Sequence, residues 1–396
     1  MENDFERARA RFLDGVGHFE AGRFEAALGC FEAALALAPG RASVLSNLGV
    51  TLVRLGRWRE AADVLRRATG ADPSDRGAWA AQGLASEATG DWARAIECLE
   101  RALALGAGDA AQLRALGRCR QRTGALPGAL EAFGRALAAD PDDAEAWSEH
   151  GSALRELGRF DEAAASFGNA LSRGADPELN RYYLASVGAG EQPPAPPRRY
   201  VEGLFDEYAA EFSEHLVRGL RYRAHESLVR PLLRGARRYR RALDLGCGTG
   251  LCGDLLRAAC DEVIGVDVSS AMLAHAARSG AYRELVHADI AHYLADAQGT
   301  FDLVLAADVF IYVGDLSEVF RSIRRVLEPG GCLAFSVELA GGDKDLELLP
   351  SLRYGHSPAY VERLARASGL AVRERFGAPI REELGHPVEG LYLYLS

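Results

Sequence analysis

Asp244, Gly246, Gly248, Gly250, Asp267, Met272 and Asp289 are the residues whose types and spacing point to chemistry. The first four lie in Arg241-Ala-Leu-Asp-Leu-Gly-Cys-Gly-Thr-Gly250, an apolar run that ends in glycines. Glycines there let the backbone approach a ligand where a Cβ would clash. Two ligands compete for such a turn. Gly248-Thr-Gly-Leu-Cys-Gly253 reads G-x-G-x-x-G and Asp267 follows about 20 residues on, the pattern of a dinucleotide site. Against that stands Asp244, a carboxylate beside the place a pyrophosphate would occupy, where like charges repel. S-adenosylmethionine suits the turn better, because its methionine end carries a sulfonium and an ammonium. Asp267 would then accept from both ribose hydroxyls. Met272 would pack on the adenine face and Asp289 would accept from its exocyclic amine. Asp289 serves equally well as a helix N-cap. Cys247, Val268, Ile290 and Ala306 complete the expected donor site.

Methyl transfer from a sulfonium is an in-line displacement, accelerated by holding the acceptor atom close and collinear. A hydroxyl or a protonated amine also needs a base, and a carboxylate does not. The candidates are Asp308, at the end of the fourth expected strand, and His356, in the tail loop beyond the fifth. Tyr312 and Tyr354 would shape the pocket. His356 could equally cap a helix beginning at Pro358. No set of His, Cys and carboxylate residues has metal-site spacing, so no metal is expected. Cys247 and Cys252 read as packing residues.

These side chains need strands and helices to aim them. Expected strands are 241–246, 262–267, 283–287, 301–307 and 331–338, with helices near 250–259, 270–279, 290–296 and 315–327 between them. The alternation implies a doubly wound parallel sheet, with ligands outside the carboxyl ends of its strands. A helix near 357–368 and strands at about 371–376 and 389–395 follow. Those two strands lack a helix between them and should pair antiparallel.

Upstream, helices are expected at about 200–217 and 222–235. In the first, Leu204, Tyr208, Phe212 and His215/Leu216 recur every three or four residues, as a core stripe or as a lid over the site. Before it, Gly188-Ala-Gly-Glu-Gln-Pro-Pro-Ala-Pro-Pro197 is an extended, semi-rigid break.

The first half repeats every 34 residues. Gly22, Gly56, Gly90, Gly124 and Gly158 recur between two helical patterns, and Gly15, Gly49, Gly83, Gly117 and Gly151 recur inside the first helix of each unit. Phe31, Leu65, Leu99, Phe133 and Phe167 hold a large apolar column. Small residues let paired helices approach, and the large one fills the gap. Five units are expected, about 8–41, 42–75, 76–109, 110–143 and 144–177, with a capping helix at roughly 178–187. One hairpin cannot bury its own apolar face, so the units must stack.

The 396 residues allow two or three domains, and 48% hydrophobic with 26% charged residues is ordinary for a globular chain. A net charge of −10 argues against general binding to nucleic acid or anionic membrane. Seven scattered cysteines without C-x-x-C fit a reduced compartment better than a disulfide framework. The charged start and the lack of a long apolar run point to the cytoplasm.

LDLGCGTG (243–250), VIGVDVSSAML (263–273), ADI (288–290), FDLVLAADVFIYV (301–313) and LEPGGCLAFSVE (327–338) together resemble a class I S-adenosylmethionine-dependent methyltransferase. The 34-residue units resemble the tetratricopeptide repeat. FDEYAAEFSEHLV and RYGHSPAYVERLARASGL are similar to segments of bacterial methyltransferases that carry such repeats. The resemblance implies a two-domain chain. An all-α tetratricopeptide solenoid (1–190) leads through a Pro-rich linker (191–199) to an α/β Rossmann-like domain (200–396), whose seven-stranded sheet ends in an antiparallel hairpin. It implies that the helices before the sheet cover the cofactor, which places Tyr208 and Phe212 at the donor. It also implies a repeat groove that binds a peptide or protein, lined here by Arg9, Asn47, Arg114, Arg118 and Arg155 with Phe12, Val16 and Phe19. An acidic peptide would suit those arginines, and a solvated face would explain them equally. Two alternatives stand beside a peptide methyltransferase. One is an enzyme for small molecules whose repeat serves oligomerisation, and the other is an adaptor that binds the cofactor without turnover.

Overall fold

The computed structural model describes residues 2–214, 221–234, 237–383 and 385–396, the side chains of 2, 3 and 207–214 excepted. Two compact units emerge, Met1–Asp176 and Pro177–Ser396.

The first unit is a run of helix hairpins. α1 (Glu2–Glu20) pairs with α2 (Phe24–Leu37), α3 (Ala42–Arg54) with α4 (Trp58–Ala71), and α5 (Arg76–Ala88) with α6 (Trp92–Leu105). α7 (Ala110–Arg122) pairs with α8 (Leu126–Ala139), and α9 (Ala144–Glu156) with α10 (Phe160–Ser172). The two sequence columns meet inside each hairpin. A Cβ on Gly49 would lie 2.4 Å from Leu65, and one on Gly117 would lie 2.5 Å from the Phe133 ring. Phe31, Leu65, Leu99, Phe133 and Phe167 are fully buried, each worth about 1.5–3 kcal/mol in apolar transfer. The turn glycines take positive φ, from 71° at Gly22 to 79° at Gly90, which lets each hairpin reverse in few residues. Asp75, Asp91, Asp109 and Asp143 start their helices by accepting a backbone N–H three residues on.

The second unit opens with α11 (Pro177–Ser186), α12 (Arg198–Glu214) and α13 (Ala224–Leu232). Strands β1 (Tyr239–Leu245), β2 (Cys260–Asp267), β3 (Glu284–His287), β4 (Phe301–Ala306) and β5 (Leu327–Glu338) lie parallel in the order β3-β2-β1-β4-β5. Helices α14 (Leu251–Leu256), α15 (Ser270–Ser279), α16 (Ile290–Asp296) and α17 (Ser317–Val326) connect them. The strands carry apolar residues on both faces, as a doubly covered sheet demands. Leu243, Leu245, Val304 and Phe335 pack on one side, and Ala242, Leu303, Leu305 and Ala334 on the other.

The tail differs from expectation in one respect. A short hairpin, β6 (Leu346–Leu348) and β7 (Tyr354–His356), precedes α18 (Pro358–Ala367) and the antiparallel pair β8 (Val372–Glu383) and β9 (His386–Leu395). β9 runs antiparallel along one edge of β5. β4 ends opposite Phe335, and Gly355 of β7 pairs with Glu338, so β7 takes over the edge that β4 leaves. The described residues form nine strands, seven of them foreseen. Three residues per strand are too few for a periodic signal.

The helix expected to close the repeat groups with the second unit. Tyr182 of α11 packs with Leu348, Leu352 and Tyr354, and its hydroxyl donates to Leu352 O at 2.6 Å. The Pro-rich stretch is docked as well. Gly314 N donates to Pro194 O at 2.9 Å and Tyr354 Oη donates to Pro193 O at 2.8 Å. No described helix is long and apolar enough to cross a membrane.

Candidate functional site

β1 ends in a turn whose backbone favours glycine at three positions. φ is 65° at Gly246, 53° at Gly248 and 98° at Gly250, values that L side chains rarely adopt. A Cβ on Gly246 would also sit 2.2 Å from Val309 Cγ2. Asp267, at the end of the neighbouring strand, pins this turn. Its Oδ2 accepts from Gly248 N at 2.8 Å and its Oδ1 from Ser269 N at 2.9 Å. Burial pushes its carboxyl upward against those two hydrogen bonds. Asp244 is 1% exposed. Burial pushes it up to about 7, opposed by a hydrogen bond from Tyr282 Oη at 2.7 Å.

Tyr282 is the residue that sequence reasoning missed. Its hydroxyl accepts from Gly253 N at 3.1 Å while donating to Asp244. A Cβ on Gly253 would meet its Cζ at 2.4 Å, and one on Gly265 would meet its Cδ1 at 2.8 Å. Glycine in the middle of an apolar strand, at 265, was the available signal that a ring approaches there.

Met272 is 1% exposed on the first turn of α15, where Ser269 Oγ accepts its backbone N–H at 3.1 Å. Val268 O lies 2.8 Å from His287 Nε2. Asp289 caps α16, its Oδ1 accepting from Ala291 N at 2.9 Å and His292 N at 3.2 Å. Cys247 and Ala306 are buried and Ile290 is half-buried. The expected donor residues from β1, β2, β3 and β4 therefore collect at the carboxyl ends of adjacent strands. The side chains of Tyr208 and Phe212 lie outside the described residues, as do His215 and Leu216. α12 nevertheless touches both sides of the site. Asp206 of α12 accepts from Ser269 Oγ at 2.6 Å, and Phe205 meets Tyr312 edge-on at 5.3 Å.

The ends of β4 and β5 carry a second cluster. Asp308 holds φ 58°, with its N–H donating to Ser336 Oγ at 2.8 Å. That left-handed backbone aims its carboxylate at Arg381 of β8, at 2.8 and 3.1 Å. Arg381 is 4% exposed and also pairs with Glu338 and Glu383. Arg353 joins Glu338 at 2.9 Å and Glu383 at 2.6 Å. Three carboxylates against two guanidiniums leave one surplus negative charge. Burial pushes Asp308 up to about 6, and Arg381 pulls the other way.

His356 is fully buried, stacked on Tyr360, with Nε2 2.9 Å from Gly314 O and 3.0 Å from Val313 O. A ring nitrogen facing carbonyls must carry the proton, and burial keeps the imidazole neutral by lowering its pKa. Ser357, not His356, caps α18 by accepting from Tyr360 N. Tyr312 is half-buried beside Phe205. The seven cysteines are free, and burial raises the Cys247 and Cys252 thiols far from thiolate chemistry. Among the described residues no group of three His, Cys, Asp or Glu side chains could hold a metal.

In the repeat, Arg114 pairs with Asp143 and Glu149, and Arg118 with Glu87 and Glu149. The first helices of three successive units are thus laced together by two guanidiniums and three carboxylates. Arg9 is exposed, Asn47 Nδ2 donates to Ser43 O, and Arg155 lies beside Glu156.

Residues 243–335 match the methyltransferase domain family, and 15–76, 46–111, 80–144 and 114–180 match the tetratricopeptide repeat. Among curated proteins, the malonyl-[acyl-carrier protein] O-methyltransferase of Enterobacter lignolyticus is 33% identical over 183 residues, 44% of this chain and 68% of that protein. The chain belongs to the methyltransferase domain family, with a tetratricopeptide repeat before it. The ubiquinone biosynthesis O-methyltransferase of Thiobacillus denitrificans is 30% identical over 35% of this chain and 67% of its own length. The malonyl-[acyl-carrier protein] O-methyltransferase of Legionella pneumophila is 35% identical, with 51% of its length covered. The chain therefore spans about half to two thirds of these relatives. Among solved structures, MamA matches 42% of the chain at 26% identity with a TM-score of 0.40, covering 92% of that protein. YrrB, titled a TPR protein with an unusual peptide-binding site, matches 45% of the chain at 22% identity with a TM-score of 0.42, covering 92% of that protein.

Proposed function

We propose that the second unit transfers a methyl group from S-adenosylmethionine to a hydroxyl or amine, and that the repeat binds the protein or peptide that bears the acceptor. The observation that carries the donor assignment is the pair of buried carboxylates, Asp244 and Asp267, flanking a positive-φ glycine turn. A pyrophosphate would meet the Asp244 carboxylate there, whereas a sulfonium and an ammonium are attracted to it; Asp267 serves a ribose in either ligand. The residues fit the cofactor in other respects as well. The turn leaves no Cβ at Gly246, and Met272 offers an apolar face. Each Asp267 oxygen accepts from a backbone N–H and keeps a second lone pair for a ribose hydroxyl.

When bound, the cofactor supplies an electrophilic methyl group with a neutral leaving group. The chain's own residues have three tasks. Asp244 and Asp267 bind and orient the donor, and α12 limits water on the side of β2 and β4. Asp308 accepts the acceptor's proton at a carboxylate oxygen, with Arg381 restricting where that carboxylate points. A pKa pushed up to about 6 suits a base at neutral pH. The surplus negative charge at Asp308, Glu338 and Glu383 disfavours a free carboxylate as acceptor. His356 holds the 313–314 loop to β7, and Tyr312 walls the pocket.

Calorimetric titration tests the donor. S-adenosylmethionine should bind and NAD should not, and the opposite result ends the proposal. Labelled methyl transfer into host lysate then tests the acceptor. Label in protein supports the repeat as the substrate-binding element. A second reading, a small-molecule acceptor, draws on the ubiquinone-biosynthesis relatives, and label confined to small molecules would establish it.

A further inference from the structure

Asp206 does something that a helix lying on the surface does not require. Its Oδ1 accepts from Ser269 Oγ at 2.6 Å and faces Ala271 N at 3.5 Å. Ser269 is fully buried, and its Oγ also accepts from Met272 N. Its own N–H donates to Asp267 Oδ1, whose other oxygen accepts from Gly248 N. An unbroken hydrogen-bonded path therefore runs from α12 through Ser269 and Asp267 to the glycine turn. One residue away, Phe205 packs on Tyr312 beyond the end of β4. The two contacts hold one helix to the carboxyl ends of β2 and β4, on either side of β1.

We infer that Asp206 is a positioning residue that couples α12 to the donor-binding turn, so that donor occupancy and the docking of this helix stabilise one another. The inference rests on the S-adenosylmethionine reading of the site. Ser269 is shared between the helix and the carboxylate assigned to the ribose, so a ligand that orders Asp267 also orders the group to which Asp206 is bonded. Reciprocally, a helix that is docked for a larger fraction of the time raises apparent donor affinity by that fraction. Asp206 need not touch the donor for this to hold.

Hydrogen exchange over α12 and calorimetry with S-adenosylhomocysteine test the coupling on the full chain. In Asp206→Ala, exchange across residues 198–206 should rise without ligand, and S-adenosylhomocysteine should bind about fivefold more weakly, the worth of one partly exposed charge-assisted hydrogen bond. Asp206→Asn keeps an acceptor oxygen for Ser269 and should recover affinity to within about twofold of wild type. Wild-type exchange in Asp206→Ala overturns the inference, as does a loosened helix with unchanged affinity. A wild-type chain that fails to bind S-adenosylhomocysteine removes the donor reading instead, and the exchange of the free protein then decides whether Asp206 anchors α12.

Discussion

Tyr282 donates its phenolic proton to Asp244 Oδ2 at 2.7 Å while accepting from Gly253 N at 3.1 Å. One hydroxyl thus joins the end of β1 to the first turn of α14 and faces the more deeply buried of the two donor-site carboxylates. The site is built to hold a carboxylate that burial works against.

A pH-dependent ligand effect follows. Asp244 titrates at about 7 in the folded chain and at 3.8 when unperturbed. Between those values the unfolded chain has lost a proton that the folded chain retains. The group's contribution to stability is therefore full below 3.8 and is lost as pH rises through about 7. A bound cation favours the ionised form and offsets that loss. The increase in Tm given by saturating S-adenosylmethionine should be larger at pH 8 than at pH 6. Tyr282→Phe removes a hydrogen bond to the charged form, so its transition should lie at higher pH. Scanning fluorimetry across this range reads both effects, and a ligand shift that ignores pH would take Asp244 out of donor binding.

The Asp308 cluster separates stability from turnover. Arg381→Met would strip Asp308 of its guanidinium and leave Arg353 alone against Glu338 and Glu383, and breaking a buried ion pair in this way costs about 3–5 kcal/mol. Asp308→Asn leaves Arg381 two carboxylates, so the fold and S-adenosylmethionine affinity should survive. Methyl transfer to a hydroxyl or amine should fall about 100- to 10,000-fold if Asp308 is the base. Urea unfolding and single-turnover transfer measure the two sides, and an Asp308→Asn enzyme of full activity would move the base elsewhere.

Periodic and local features were legible in the sequence, and contacts across long separations were not. The glycine columns announced the packing of Gly49 on Leu65 and of Gly117 on Phe133, because a 34-residue period exposes both members of each pair. Asp244 and Asp267 were readable because each ends an apolar strand. The Arg114 and Arg118 pairs span 29 to 35 residues, and nothing in their spacing separates a binding face from a charge ladder. Tyr282, 38 residues from Asp244, lies in an unpatterned loop. The β6–β7 hairpin is too short to show a period, and the docked linker and the Asp206–Ser269 bond depend on single contacts between groups far apart in the chain, which no period records.

The second unit should need α11. Tyr182 is fully buried beside Tyr354 and Leu352, with a ring separation of 6.3 Å to Tyr354. A chain of residues 198–396 loses that ring together with Pro193 and Pro194, which leaves the Tyr354 hydroxyl and Gly314 N without their acceptors. It should unfold at lower temperature than 177–396, and Tyr182→Ala in the full chain should cost about 3–5 kcal/mol. Calorimetry of the two fragments checks this. Equal Tm values would restore α11 to the repeat.

Glycines of the repeat should fall into two classes with opposite signs. Gly117 lies inside α7 with the Phe133 ring 2.5 Å from where its Cβ would be. Backbone there cannot yield without opening the hairpin, so Gly117→Ala should destabilise by about 1–3 kcal/mol through overpacking. Gly134 lies exposed inside α8, with nothing within 4 Å of its would-be Cβ. Gly134→Ala should stabilise by about 0.5–1 kcal/mol, by reducing the freedom of the unfolded chain. Denaturant unfolding of the first unit, followed by helical circular dichroism, should rank Gly134→Ala above wild type and wild type above Gly117→Ala. A Gly117→Ala chain as stable as wild type would mean that the helices of a hairpin can separate at little cost, against the fit of each glycine to its large apolar partner.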